Sequence, residues 1–247
     1  MNNHPSIYLI LFFAFLLTSC GAKKSTFDSA KLGTAERDVT YCTMNSLPQK
    51  MDIYYPASKG PWPVLVYVHG GSWYQGDKAE GEGWRGMNDR GFLVVSVNYR
   101  LGDYQTKFPA MIEDVKCAVR YLRAHSSDYN IDPDRIYLTG HSMGGYGTWS
   151  VAMNHPDVFA ALAPVAGGAN VPAAMSKIAH IPQLVVHGDN DPTVPVERSR
   201  VMVAEGKKLG VEIKYIEVPG GDHMKVIARN PENMKKVFDT FAQAGRE

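Results

Sequence analysis

The sequence has no excess of charge of either sign. Its 26 Lys and Arg face 25 Asp and Glu, a net of +1, without a long basic run. Nucleic-acid binders carry a clustered basic footprint, so that class is set aside. Cysteine is scarce, and neither H-E-x-x-H nor a clustered Cys/His spacing occurs, so no metal or cofactor is expected. No G-x-x-x-x-G-K-[ST] and no G-x-G-x-x-G follows a strand-like run, which argues against phosphate and dinucleotide loops. Internal repeats and low-complexity stretches are also absent. What remains is a chain of 247 residues with ordinary hydrophobic (45%) and charged (21%) content, enough for one domain with a sizeable core.

The most apolar stretch is "IYLILFFAFLLTSC", Ile7 to Cys20. At about a dozen apolar residues it is short of the about 20 that cross a bilayer as a helix. It fits the h-region of a signal peptide, although the six residues before it lack Lys and Arg. Its end, Leu17-Thr18-Ser19-Cys20, resembles the bacterial lipobox, whose cysteine is acylated and becomes the mature N-terminus. The expectation is a lipoprotein signal peptide over 1–19, lipid attachment at Cys20, a polar tether over 20–38 and one domain over 39–247. Such a protein is exported and held on the periplasmic or outer cell surface. Cys42 and Cys117 invite a disulfide in that setting. However, Cys117 lies in the helical "MIEDVKCAVRYLRAH" and reads as a small buried hydrophobe, and nothing in the sequence brings the two together.

Beyond the tether, "DVTYCTM" and "KMDIYYP" read as paired strands. Short β-branched runs then alternate with helical segments. "VLVYV", "FLVVSVNY", "RIYLTG", "FAALAPVAGG", "PQLVVHG" and "VEIKYIEVPG" are the strands. The helices are expected near 82–90, 109–125, from Met143, in 196–210 and over 231–244; the second repeats apolar residues with a period near 3.6. This alternation predicts an α/β fold, a mostly parallel central sheet with helices on both faces. Ligands of such folds lie beyond the carboxyl ends of the strands, so the residues after each strand are the functional candidates.

One of those turns is Gly140-His141-Ser142-Met143-Gly144, a G-x-S-x-G motif between a strand and a helix. There the serine sits on a sharp turn that raises its hydroxyl above the sheet. A hydroxyl is a weak nucleophile near neutral pH and needs a base, itself oriented by an acid. "VPGGDHMK" supplies His223 on a loop after the last strand. His155, His180 and His187 fall at a helix end, before a strand and inside one. For the acid, "VVHGDNDPTVP" offers Asp189 and Asp191, and spacing alone leaves both open. Earlier, "VLVYVHGGSWYQGDK" ends a strand in His69-Gly70-Gly71-Ser72, a turn able to aim backbone N–H groups at developing negative charge. Asp77 and Lys78 beyond it read as pins for the loop.

Taken together, "VLVYVHGGSWYQGDK", "FLVVSVNYRL", "FPAMIEDVKCAVRYLRAHSSDYNIDPDRIYLTGHSMGG", "HGDNDPTVP" and "GGDH" resemble the α/β-hydrolase carboxylesterases. The resemblance is to the bifunctional feruloyl and acetyl-xylan esterase type, relatives of the hormone-sensitive-lipase-like esterases, and runs from about Asp38 onward. It implies an α/β-hydrolase fold, a triad of Ser142, Asp191 and His223, and an oxyanion hole from Gly71, Ser72 and Met143. In the family pattern Ser72 stands where a third glycine is common, and "GHSMGGYG" replaces the commoner G-x-S-A-G-G. The implied activity is hydrolysis of short-chain acyl esters, acetyl or feruloyl, on a small ester or an acylated polysaccharide. An amide hydrolase with the same triad, and a non-enzymatic binding module, are the alternatives. Only Gly167 to Ile181 separates the strands where lids are often inserted, too few for a packed cap. A shallow, lidless site is therefore expected, with Trp73, Tyr74 and Tyr146 as its walls.

Overall fold

Eight strands form a single sheet in the computed structural model, which describes residues 27–44, 46–102, 108–224 and 231–244. They are β1 (Ala35–Met44), β2 (Leu47–Tyr54), β3 (Trp62–Val68), β4 (Leu93–Val97), β5 (Ile131–His141), β6 (Ala161–Val165), β7 (Gln183–Gly188) and β8 (Ile213–Val218). Their spatial order is β1-β2-β4-β3-β5-β6-β7-β8. β1, β2 and β4 pair antiparallel, and every pair from β4 to β8 is parallel.

The continuous apolar runs follow from burial on both faces of the sheet. Along β3, Val64, Val66 and Val68 join the core containing Trp149 and Met202, while Leu65 and Tyr67 join Trp84, Met87, Phe238 and Phe241 on the opposite face. The first core is covered by α1 (Ala110–Ala124), the short α2 (Ser126–Tyr129), α3 (Met143–Asn154) and α4 (Glu197–Lys208). The second lies under α5 (Pro231–Ala244) and the 3-10 segment Lys78–Arg90. That segment tightens into 3-10 geometry where an α-helix was expected, and it begins four residues earlier. Asp77 caps it through the Ala79 N–H, and Gly91 closes it in the left-handed region at φ 83°.

One expectation is corrected at the chain's start, and one question the sequence left open is answered. The expected tether is folded from residue 27 onward: Phe27 packs edge-on against Trp62 at 5.1 Å, and β1 begins at Ala35. Cys42 and Cys117 are joined in a disulfide across 75 residues, tying β1 to α1. Strand pairing and helix packing bring them together, which neither local sequence reports. Residues 1–26, with the expected signal peptide and Cys20, lie outside the described residues.

From β4 the chain crosses β3 and pairs β5 on its other side, so the strand order reverses at β3. That reversal opens a crevice beyond the carboxyl ends of β3 and β5. The serine turn and the His69-Gly70-Gly71 turn meet there.

Candidate active site

The nucleophile turn is built from strain and missing side chains. Ser142 follows β5 at φ 59°, ψ −121°, an unfavourable backbone position for a residue with a Cβ. The turn closes because its flanks are glycine. A Cβ on Gly144 would fall onto the Val68 carbonyl, and one on Gly140 onto the carbonyl of Gly144. The strand ends and the turn therefore pack backbone on backbone, leaving the Ser142 hydroxyl raised at the start of α3.

The base and the acid come from the loops after β8 and β7. His223 Nε2 lies 2.8 Å from Ser142 Oγ, and His223 Nδ1 lies 2.6 Å from Asp191 Oδ2. An ionised carboxylate only accepts, so Nδ1 carries the proton and Nε2 accepts from the serine hydroxyl. Asp191 Oδ1 accepts from the backbone N–H groups of Thr193 at 2.8 Å and Val194 at 2.9 Å. Burial works to raise the Asp191 pKa, but the His223 hydrogen bond and these two N–H groups outweigh it and hold the carboxyl below its ordinary value. The choice between the two aspartates is thereby resolved in space. Asp189 turns to the Gly220 N–H at 2.6 Å, bracing the β7 loop against the β8 loop.

Two histidines carry weight that their sequence positions do not announce. His141 Nε2 donates to the His223 backbone carbonyl at 2.8 Å, linking the nucleophile turn directly to the base loop. Burial, helped by the His223 charge, pushes the His141 pKa down to about 4. His187 is fully buried; its Nε2 donates to Val194 O at 2.9 Å and lies 3.3 Å from Asp191 Oδ2, while Ser199 Oγ sits 2.7 Å from Nδ1. It ties the acid loop to α4. A histidine inside a strand and another between glycine and serine look like packing residues until the loops are folded.

The His69 turn is held from beneath. The His69 ring stacks on Tyr99 at 4.2 Å, and the Tyr99 hydroxyl lies 3.0 Å from the carbonyls of both His69 and Gly70. Asp77 and Lys78 pin the far end as expected. The Lys78 N–H donates to Asn98 Oδ1, Asn98 Nδ2 donates to Asp77, and Lys78 Nζ pairs with Asp52 at 3.0 Å. Gly71 has φ 99°, and a Cβ there would strike the Gln75 carbonyl. The Gly71 carbonyl accepts from Tyr74 N and Gln75 N inside the turn. In a trans peptide the Ser72 N–H points the opposite way, out of the turn. The Gly70 carbonyl likewise faces the Tyr99 hydroxyl, so the Gly71 N–H is directed away from it. Met143 opens α3, where an N–H has no intrahelical acceptor.

One hollow is lined by Ser142, and a second begins at the next residue, Met143. A cleft of about 420 Å³ is lined by Gly71, Ser72, Gln75, His141, Thr193 and His223. A second hollow of about 670 Å³ lies beside Met143, with Trp73 and Tyr146 among its walls. Among the described residues the site is thus less shallow than expected. Between β6 and β7 the chain forms only the 3-10 segment Pro172–Ile178, yet that segment stands beside α3 and gives the hollow a second wall. Tyr74 departs from the expectation: it is 70% exposed and lines neither hollow. The positive φ of Trp73 (67°) turns its own ring inward, edge-on to Tyr99, and leaves the next residue facing out.

Residues 51–157 match the BD-FAE family. Among curated proteins, the chain is 28% identical over 210 residues to Esterase LipQ of Mycobacterium tuberculosis, covering 65% of this chain and 50% of that protein. It is 33% identical over 118 residues to Carboxylesterase NlhH of the same organism, covering 47% of this chain and 36% of that one. The chain therefore spans half or less of these relatives' length. A solved structure described as a truncated form of carbohydrate esterase from gut microbiota matches with a TM-score of 0.75 at 20% identity, covering 92% of this chain and 99% of that one. The native esterase Est2 of Thermogutta terrifontis matches with a TM-score of 0.71 at 21% identity, covering 90% and 95%. With a mostly parallel sheet and a serine turn at its carboxyl edge, the chain has the α/β-hydrolase fold.

Proposed function

We propose that the protein is a serine carboxylesterase working through an acyl-enzyme on Ser142. The observation that carries this is the unbroken chain from Ser142 Oγ through His223 to Asp191, with links of 2.8 and 2.6 Å. The BD-FAE match and the likeness to LipQ and NlhH support the same class. In the first step His223 Nε2 takes the Ser142 proton while Oγ bonds to the acyl carbon. The carbonyl oxygen becomes negative within reach of the N–H groups of Gly71, Ser72 and Met143. His223 then returns the proton to the leaving alcohol oxygen as the ester bond breaks. A water, deprotonated by the same nitrogen, releases the acid, and Asp191 stabilises the imidazolium in both halves. The alcohol is hydroxyl-rich, as in a plant polysaccharide, because the cleft on the His223 side is open and edged by Gln75, Thr193 and main-chain groups. Acetyl and feruloyl esters are the acyl groups that the resemblance implies, and the larger hollow beside Met143 leaves room for a longer one.

We further infer that the protein is exported and carries a lipid on Cys20. The lipobox-like Leu17-Thr18-Ser19-Cys20 supports this, and so does the Cys42–Cys117 disulfide, which persists in oxidising compartments. A serine-directed organophosphate tests the catalytic reading. It should label Ser142 stoichiometrically and abolish hydrolysis of methyl ferulate and 4-nitrophenyl acetate, while the matching anilide is left almost untouched. Labelling elsewhere, or full turnover in folded Ser142→Ala, refutes the mechanism.

A further inference from the structure

The hollow beside Met143 is a trough whose two ends differ in chemistry. Its direction follows from two approaches in the chain flanking its walls. A Cβ on Gly168 would sit 3.1 Å from the Tyr146 ring, and His180 Nε2 lies 3.2 Å from the Pro156 carbonyl. The 3-10 segment Pro172–Ile178 therefore runs alongside α3, with Lys177 toward its C-terminal end. Asn154, at that end, is about 17 Å along the axis from Met143 at 1.5 Å per residue. Near the nucleophile the walls are Trp73, Met143 and Tyr146; at the far end they are Ser150, Met153, Asn154 and Lys177. Residues three apart eclipse one another on a 3-10 turn, so Ala174 and Lys177 present the same face to the trough. No carboxylate lines the trough among the described residues. Lys177 is exposed and has no ion pair or hydrogen bond among the described residues.

We propose that this trough seats the acyl group and that the preferred acyl group carries a carboxylate at its far end, received by Lys177. The proposal rests on the esterase reading above. The side of the ester follows from proton transfer. His223 must protonate the leaving oxygen, so the alcohol occupies the cleft that His223 lines, and the acyl arm takes the trough that it does not line. The chemistry of the arm follows from the walls. A corridor apolar beside the serine and cationic at its end suits a mainly apolar acyl group with a terminal anion. A plain fatty chain could pack on Met153 but would leave the Lys177 ammonium without a counter-charge. A carboxylate there gains a charge-assisted hydrogen bond from an ammonium that lacks a partner among the described residues.

The test compares 4-nitrophenyl monoesters of succinic, adipic, suberic and sebacic acids with the monocarboxylic esters of equal length. The expected result is a kcat/KM ratio favouring the ω-carboxylate by about fivefold or more at one of the longer lengths, the range of a partly exposed charged hydrogen bond. The ratio should shrink in 0.5 M salt, fall to about one in Lys177→Met and invert in Lys177→Glu. Calorimetry on the Ser142→Ala protein reads the same preference as binding, without turnover. Loss of hydrolysis of both ester series overturns the esterase reading, whereas the binding preference still decides the Lys177 proposal. Equal affinity for the two series, or a preference unchanged in both Lys177 variants, overturns it.

Discussion

Replacing Asp191 with asparagine exchanges one carboxylate oxygen for an NH2 group, and the donors around it dictate which oxygen is lost. Two backbone donors, Thr193 N–H and Val194 N–H, point at Oδ1 at 2.8 and 2.9 Å. An amide nitrogen cannot sit opposite two donors, so the carbonyl oxygen of the new side chain must stay at that position. Its NH2 then occupies the Oδ2 position, 2.6 Å from His223 Nδ1. Donor would face donor, and the imidazole must move its proton to Nε2. That nitrogen is 2.8 Å from Ser142 Oγ and, once protonated, cannot accept the serine proton. Loss of the correct tautomer in a serine triad lowers kcat by about ten-thousandfold, or about 5.5 kcal/mol at 1.36 kcal/mol per factor of ten. Asp189→Asn is the internal control. Its contact with the Gly220 N–H at 2.6 Å needs only a carbonyl oxygen, which asparagine keeps, so activity should fall by no more than a few-fold. The assay is steady-state hydrolysis of 4-nitrophenyl acetate by purified variants whose melting temperatures establish folding. Folded Asp191→Asn within tenfold of wild type, or an equal loss in both variants, refutes the tautomer argument and the assignment of the acid.

Three further outcomes are expected. His141, pushed down to about 4 mainly by burial, is neutral in the folded protein, while the unfolded histidine titrates near 6.5. The unfolded state therefore binds the proton first: this contribution to stability is complete above about pH 6.5 and is lost as pH falls toward 4, by about 3 kcal/mol in all. Urea unfolding at pH 7.5 and 4.5 should show a smaller loss in His141→Phe than in wild type; equal losses would contradict the assignment. Opening the Cys42–Cys117 bond by a double serine substitution frees a loop of 75 residues and should cost up to about 4 kcal/mol on chain entropy, read as a lower melting temperature. An unchanged melting temperature would show that strand pairing alone holds β1. Finally, Cys20→Ala should abolish lipid labelling and membrane partitioning; recovery of the wild-type protein unacylated and freely soluble would refute the anchor.

The local order of residues determined much of this protein. Alternating apolar runs and helical segments specify a parallel sheet buried on both faces, because each segment must bury its own apolar side wherever the others lie. Gly140-His141-Ser142-Met143-Gly144 is legible as a nucleophile turn because the requirement is local: small flanks, one hydroxyl, a strand before and a helix after. His223 is legible from its place after the last strand. Asp191 needs the family resemblance, since Asp189 and Asp191 differ only in which way the β7 loop turns them, and that turn is set by Thr193, Val194 and Gly220 N–H groups brought from two loops. The disulfide, the inward turn of Trp73 against the outward Tyr74, and the roles of His141 and His187 were likewise decided only by tertiary structure. Each depends on a partner brought near by the folded loops, often dozens of residues away, or on a backbone dihedral, and neither quantity is written in the neighbouring residues. The trough arises in the same way. Its near wall is a helix expected from Met143 onward, but its far wall, and with it the position of Lys177, exists only once the 3-10 segment Pro172–Ile178 is laid beside α3.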